Sequence, residues 1–201
     1  MLRKIGKRSL KTLQHKTPDE DLDALTSLVK RVAKRPIVMA EVGSWVGESA
    51  AALLRGLDEA ESDGMLHCVD TWKGSPNDRI GRVASMYGPQ VFQTFLSNSI
   101  NDIKAGNIVT HCGYSVGVAA RLNALGLKFD LIFIDAGHTY EECLEDIDAW
   151  LPMLKPGGII CGHDYWDSFP GVVQAVDERF GGIESLGVSV WAWRKPHERK
   201  I

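Results

Sequence analysis

Four polar residues fall at two points in the second half of this 201-residue chain: Asp135 and His138 in FIDAGHTY, and His163 and Asp164 in ICGHDY. Each pair follows a short apolar run of the kind that forms a buried strand. Neighbouring parallel strands lie about 4.8 Å apart, so their carboxyl ends can bring such residues into one cleft. An imidazole titrates near neutral pH, which makes His138 the first candidate for a general base acting on a hydroxyl. Asp135 and His163 are the other candidates. The alternative for His138 is a hydrogen-bonding role at the start of the next helix. Glu141, Glu142, Glu145 and Asp146 read as the solvated start of that helix, where acids suit the helix dipole.

A second group of residues points to a ligand. In Glu41-Val-Gly43-Ser44-Trp-Val-Gly47, two glycines let the backbone approach a bound molecule, and the helix that follows offers free N–H groups to an anion. Such a turn serves equally well as a plain strand-to-helix connection. Asp70 adds information: it closes the next strand about 20 to 30 residues further on, where an acid can grip both hydroxyls of a ribose. Neither G-x-x-x-x-G-K-[ST] nor G-x-G-x-x-G occurs. Phosphate cradles therefore lack their diagnostic residues, and a nicotinamide-dependent oxidoreductase is disfavoured.

The elements that must hold these residues alternate. A helix is expected from Asp19 and Asp21 to about Lys34, ended by Pro36. Strand 37–42, helix 48–57, strands 65–69 and 107–111, helix 116–124, strand 130–134, helix 140–151, strand 159–162 and helix 172–180 follow. Strands separated by helices predict a doubly wound α/β domain with a parallel sheet. Two last strands, 182–186 and 188–194, meet tightly at Gly187 and predict a terminal antiparallel hairpin, giving seven strands in all. The segment 71–100 is polar at first and then helical in pattern, a candidate ligand cover in which Lys73, Asp78, Arg79, Arg82 and Tyr87 are mixed. We expect a basic arm and helix over residues 1–35 and one domain over 36–201.

Composition narrows the class. With 44% hydrophobic and 24% charged residues the chain is expected to be an ordinary globular protein. No apolar run reaches the roughly 18–20 residues that span a bilayer, and the start lacks a signal-peptide core, so a cytoplasmic protein without membrane partners is expected. The four cysteines are scattered without a C-x-x-C pair, which disfavours a zinc site or a disulfide framework. A net charge of −3 disfavours nucleic acid as a partner, although Arg3, Lys4, Lys7, Arg8, Lys11 and Lys16 make the first residues basic. An apolar last strand with Trp191 and Trp193 is a candidate sheet edge for homo-oligomer formation.

Three segments, VMAEVGSWVGES, HCVDTWKGS and FDLIFIDAGHTYEECLEDIDAWLPMLKPGGIICGHDY, resemble the successive motifs of class I S-adenosylmethionine-dependent methyltransferases. The likeness covers roughly residues 37–166. It is strongest to the branch of small-molecule and sugar O-methyltransferases, in which Asp-x-x-His-x-Tyr and a later His-Asp follow neighbouring strands. The resemblance implies a Rossmann-like fold and methyl transfer to a hydroxyl of a sugar, phenol or polar metabolite. Alternatives are a catalytically silent cofactor-binding module and a methyltransferase acting on a macromolecule. It also implies that Glu41, Gly43, Ser44 and Gly47 surround the methionine part of S-adenosylmethionine, with Ser49 near its carboxylate. Asp70 would hold the ribose, Thr71 and Trp72 would flank the adenine, and Gly113, Tyr114 and Ser115 would close the pocket, with Asp135 beside the cofactor. Relatives hold a divalent cation with acids at the positions of Asp135, His163 and Asp164. The histidine in the middle position lowers the negative charge available to Mg2+ and opens Mn2+, or a site without metal, as options.

Overall fold

The computed structural model describes residues 17–32, 36–74 and 89–197. In chain order the elements are α1 (Asp19–Val32), β1 (Ile37–Val42), α2 (Glu48–Glu59), β2 (Gly64–Asp70), α3 (Pro89–Ala105), β3 (Ile108–Cys112) and α4 (Ser115–Ala124). They continue with β4 (Phe129–Ile134), α5 (Tyr140–Trp150), β5 (Leu154–Gly162), α6 (Pro170–Phe180), β6 (Glu184–Leu186) and β7 (Val190–Arg194). The strands form one sheet in the order β3-β2-β1-β4-β5-β7-β6. β1 to β5 run parallel, and β7 pairs antiparallel with both β5 and β6. This is the doubly wound, mostly parallel sheet with a terminal hairpin that the alternation of the sequence predicts.

Period-two alternation sends successive strand residues to opposite faces, and both faces are covered. Met39, Leu66 and Leu131 pack with Leu25, Leu28 and Val29 of α1, Leu53 of α2 and Phe95 of α3. Ala40, Ile132 and Ile160 pack on the other side with Val118 of α4, Ile147 and Trp150 of α5, and Val176 of α6. Helix α1 thus belongs to the core of the domain, while residues 33–35, at the expected boundary, and the basic arm up to Lys16 lie outside the described residues.

Strand order reverses between β1 and β4, where Val42 pairs with Ile134. A doubly wound sheet opens its ligand crevice at the carboxyl end of this switch. The glycine turn and Asp135 both begin there, and the Asp135 N–H donates to the Val42 carbonyl at 2.8 Å.

The sheet edge departs from expectation. β7 lies between β5 and β6, Trp191 is buried, and Trp193 packs against Phe180 with ring centroids 5.0 Å apart. The chain passes β7's place after α6, lays down the short β6 outside it, and returns through Gly187 at φ +56°. Trp191 is therefore paired on both sides, by β5 and by β6, and offers no free edge to a second subunit. Of the insert 71–100, residues 75–88, with Asp78, Arg79, Arg82 and Tyr87, lie outside the described residues. Its helical part is α3. Cys68, Cys143 and Cys161 are buried free thiols and Cys112 is an exposed one. Among the described residues no helix is long and apolar enough to cross a membrane.

Candidate active site

A cleft of about 710 Å3 opens at the carboxyl edge of the sheet. That volume lies in the range of small-molecule sites. Its first wall is the turn after β1. Gly43 has φ +92°, and a Cβ there would overlap the carbonyl oxygen of Asp135, so the position accepts only glycine. Gly47, also at φ +92°, is the N-cap of α2 and carries no capping side chain, so the first N–H groups of that helix are not claimed by one. Helix α3 braces this turn: the Asn98 side-chain amide donates to the Val46 carbonyl at 2.8 Å. Phe95 and Ser99 lie so close to Gly47 that a Cβ would meet both at 3.3 Å.

Asp70 fastens the turn from the neighbouring strand. Its Oδ2 accepts from the Trp45 N–H at 2.8 Å and its Oδ1 from the Trp72 N–H at 2.6 Å. Burial raises its pKa, opposed by the backbone N–H groups of Trp72, Trp45, Thr71 and Ser44. Each oxygen keeps a further lone pair, and Asp70 lines the cleft. Thr71, Gly113, Tyr114 and Ser115 continue the wall. Ser115 is fixed from behind by the Trp150 indole N–H, which donates to its Oγ at 2.8 Å.

Glu41 is fully buried behind this wall. Burial pushes its carboxyl up from 4.5 to about 7, against hydrogen bonds from Ser44, Ser49 and Cys68, with the charge of Asp135 adding to the rise. Strict hydrogen-bond geometry pairs neither Glu41 oxygen, so these contacts are loose and desolvation dominates. A raised folded-state pKa favours the protonated acid. That contribution is whole below about pH 4.5 and is lost as pH rises through about 7. Glu41→Gln, which keeps the shape without the charge, is therefore expected to stabilise the fold by about 2–3 kcal/mol at pH 8 and by little near pH 4.5. Thermal melts of both proteins across that range check it.

The other wall carries a line of alternating carboxylates and imidazoles. Asp21 of α1 is fully buried and accepts from the Val188 N–H at 2.6 Å, the Ser189 N–H at 3.1 Å and the Ser189 hydroxyl at 3.1 Å. Its Oδ2 also meets His163 Nε2 at 3.0 Å. His163 Nδ1 lies 3.2 Å from Asp164 Oδ1, and Asp164 Oδ2 lies 2.8 Å from His138 Nε2. Burial works against a charge on His163, but its partners Asp164, Asp135 and Asp21 raise its pKa to about 9. Asp164 is held well below the ordinary carboxylate range by hydrogen bonds from His138 and His163, which outweigh its burial. The Asp164 backbone is left-handed at φ +60°. Such strain persists where surrounding contacts over-determine it, often at functional sites.

Residues 40–165 match the family of the methyltransferase domain. The chain belongs to this methyltransferase family. An uncharacterised protein of Sinorhizobium fredii is 21% identical over 171 residues, a match covering 79% of this chain and 18% of that protein. This chain thus spans less than a fifth of the curated relative's length. Among solved structures, the calicheamicin methyltransferase CalS11 superposes with a TM-score of 0.68 at 20% identity, over 95% of this chain and 86% of that one. An O-methyltransferase from Bacillus cereus in complex with SAH gives 0.67 at 17%, over 96% and 94%. The O-methyltransferase NovP gives 0.66 at 18%, over 89% and 80%. At these identities the likeness establishes the shared class I methyltransferase fold.

In this methyltransferase domain the cleft brings together Gly43, Ser44, Ser49, Asp70, Thr71, Gly113, Tyr114, Ser115, Asp135, His138, His163 and Asp164. Glu41, Gly47 and Trp72 stand behind its wall. Trp72 is a correction: it is 3% exposed, donates its indole N–H to the Trp45 carbonyl at 2.9 Å, and packs on Phe92 and Phe95. Its left-handed backbone, φ +50°, turns the ring away from the place where an adenine flank was expected and into the core.

The expected metal trio also changes. His163 spends both ring nitrogens on Asp21 and Asp164, so it is not available as a ligand. Asp135, His138 and Asp164 have ligand atoms within 4.8 Å of one another. Yet both oxygens of Asp164 already face imidazole nitrogens, one of them the Nε2 that His138 would have to offer. This donor set does not fit a resident divalent cation, and no catalytic step is derived through one.

The helix start after His138 is not uniformly solvated. Thr139 and Glu142 form a capping box on α5, a pattern readable as Thr-x-x-Glu. Asp146 is 6% exposed and raised by burial to about 6, and it lines the cleft with Glu142 and Glu145. The fixed spacing of Glu142 and Asp146, i and i+4 on one helix face, is the signal that locates this pair. Asp21, Ser189, Trp166 and Phe169 carry no such signal, because loops and a distant helix deliver them.

Proposed function

We propose that this chain transfers a methyl group from S-adenosylmethionine to a hydroxyl of a small molecule. One observation carries the reading: a carboxylate suited to a ribose, Asp70, and the His138–Asp164 pair open into the same cleft at the switch point of the sheet. The residues fit the donor. Asp70 keeps acceptor capacity for two ribose hydroxyls, Ser49 and the uncapped N-terminus of α2 suit the methionine carboxylate, and Thr71, Gly113, Tyr114 and Ser115 suit the adenine. Bound there, S-adenosylmethionine supplies a methyl group already activated by its sulfonium.

The protein's part is then to hold the acceptor in line, exclude water and remove one proton. The hydroxyl oxygen forms the new bond to the methyl carbon, and the carbon–sulfur bond breaks with its electrons returning to sulfur. His138 Nδ1 is screened from solvent, so the acceptor meets the imidazole at its Nε2 edge, beside Asp164 Oδ2. The hydroxyl enters between the two groups and gives its proton to His138 Nε2, and the imidazolium so formed is balanced by the Asp164 carboxylate. Phe169 packs on the His138 ring at 4.9 Å between centroids and limits its rotation. Trp166, 48% exposed on the same wall, offers the acceptor an apolar surface. The reading assigns no role to Mg2+ or Mn2+. It places the enzyme among soluble metabolite-modifying proteins of the cytoplasm.

His138→Gln is expected to lower kcat by about 100-fold or more while leaving S-adenosylmethionine affinity within about twofold. A methyl-transfer assay on a panel of phenols, sugars and polar metabolites, paired with calorimetric donor titration, reads both quantities. Donor binding without product on the whole panel favours the silent binding module, and product only on a nucleic acid or protein favours a macromolecular acceptor.

A further inference from the structure

Asp146 stands on α5, one turn after Glu142, and lines the cleft although it is only 6% exposed. Burial raises its pKa to about 6, opposed by a hydrogen bond from Ser115 and reinforced by the charges of Glu142 and Glu145. The carboxylate is therefore ionised at pH 7.5, with little of its hydration left. Each N–H or O–H that reaches such a group offsets part of that loss.

The donor supplied by Ser115 is fixed in direction. The Trp150 indole N–H donates to Ser115 Oγ at 2.8 Å, which occupies one lone pair and leaves the hydroxyl hydrogen to Asp146. One hydroxyl fills one of the roughly four acceptor positions of a carboxylate. Asp146 thus keeps acceptor capacity at the cleft wall, beside the start of α4. That helix end has the opposite character. Its N-cap, Tyr114, makes no side-chain capping bond, so the first-turn N–H groups are donors not claimed by a cap, and Ser115 and Val116 both line the cleft. An acceptor and a donor therefore stand side by side in one corner.

The corner adjoins Asp70. The Gly113 N–H donates to the Asp70 carbonyl at 3.0 Å, so the loop that leads into α4 is fastened to the strand end that bears the ribose acid. Adenine carries a donor and an acceptor side by side on its outer edge, the exocyclic amine and the ring nitrogen N1. Hypoxanthine reverses both, with a carbonyl oxygen in place of the amine and a hydrogen on N1.

We propose that Asp146 selects the nucleobase of the methyl donor: its carboxylate accepts from the exocyclic amine of adenine while a first-turn N–H of α4 donates to N1. The proposal rests on the methyl-transfer reading for the presence of an adenosyl ligand. Asp70 by itself reads only the sugar and accepts any ribonucleoside. A purine lacking the amine leaves the buried carboxylate without a donor from the ligand. Hypoxanthine does worse, setting its carbonyl oxygen against the carboxylate and its N1–H against the backbone N–H.

The test is calorimetric titration of the whole 201-residue chain at pH 7.5 with three ligands. They are S-adenosylhomocysteine, its analogue with unsubstituted purine in place of adenine, and S-inosylhomocysteine. The purine analogue is expected to bind about tenfold or more weakly than S-adenosylhomocysteine, and the inosyl compound about 30-fold or more weakly. In Asp146→Asn, Ser115 holds the amide oxygen and the NH2 turns to the cleft. Adenosyl affinity is then expected to fall about tenfold, and the inosyl compound to bind within about threefold of it.

Equal affinity of the unmodified protein for S-adenosylhomocysteine and the purine analogue overturns the proposal and leaves the methyl-transfer reading intact. An Asp146→Asn protein that melts like the original and keeps its full preference for the adenosyl compound does the same, since Asp146 is then only a brace for Ser115. If that variant fails to fold, the titrations of the unmodified protein still decide. Binding of none of the three ligands removes the adenosyl ligand itself, and the methyl-transfer reading fails together with the proposal.

Discussion

Asp70→Ala is expected to weaken S-adenosylmethionine binding by about 100- to 1,000-fold. Two ribose hydroxyls donating to one carboxylate contribute about 1.5–3 kcal/mol each when the acceptor is charged, and the loss is partly recovered by water entering the gap. A second loss follows from the geometry: the N–H groups of Trp45 and Trp72, at 2.8 and 2.6 Å from Asp70, lose their acceptor. The turn that bears Gly43 and Ser44 then loosens. Asp70→Asn separates the two effects, since the amide oxygen can keep one N–H partner while its NH2 opposes the other. Calorimetric titration with S-adenosylmethionine and S-adenosylhomocysteine checks both variants. Unchanged affinity in Asp70→Ala would show that the acid holds the turn and no ribose.

The second large effect belongs to Gly43→Ala. At φ +92° an alanine costs about 1–2 kcal/mol in backbone conformation alone. Its Cβ would also overlap the Asp135 carbonyl oxygen, a backbone atom tied to the sheet by the Asp135 N–H bond to Val42 at 2.8 Å. Neither side can yield, and overpacking of that kind costs about 1–3 kcal/mol more. A sum of about 2–5 kcal/mol predicts a melting temperature lower by about 5–15 °C, together with loss of donor binding. Gly181→Ala is the control: φ is +63° and a Cβ there meets nothing within 4 Å. Only the conformational cost applies, so its melt is expected to fall by a few degrees and its donor affinity to stay unchanged. Equal effects at the two glycines would contradict the close approach of the β1 turn to Asp135.

What could be read in advance depended on locality. The strands β1, β2, β4 and β5 carry short apolar runs between turn residues, and such runs suit a sheet buried on both faces. The alternation with helices, the parallel sheet and the placement of Gly43, Asp70, Asp135, His138 and Asp164 at strand ends all follow from that pattern, because backbone chemistry acts over a few residues. Helix ends were similarly legible at Asp19, and Gly187 marked the hairpin turn.

Trp72 was not. A tryptophan one residue past Thr71 has no intrinsic reason to face a ligand or the core. The choice was made by Phe92 and Phe95, which α3 brings against it from 20 residues or more away. Trp191 and Trp193 form an apolar strand in any arrangement. Whether that strand is an edge depends on where β6 is laid, a matter of chain path with no side-chain signal.

His163 shows the same division most sharply. Its sequence, one residue before Asp164, made it a metal ligand, a fallback base or neither. Asp21, 142 positions earlier, decided among these by taking one of its nitrogens at 3.0 Å. The residue types and their strand-end positions were determined by the sequence itself, since burial and periodicity are local. Only the tertiary structure decided which charges face each other, because Coulomb interactions and hydrogen bonds act over a few ångströms in space and are indifferent to distance along the chain.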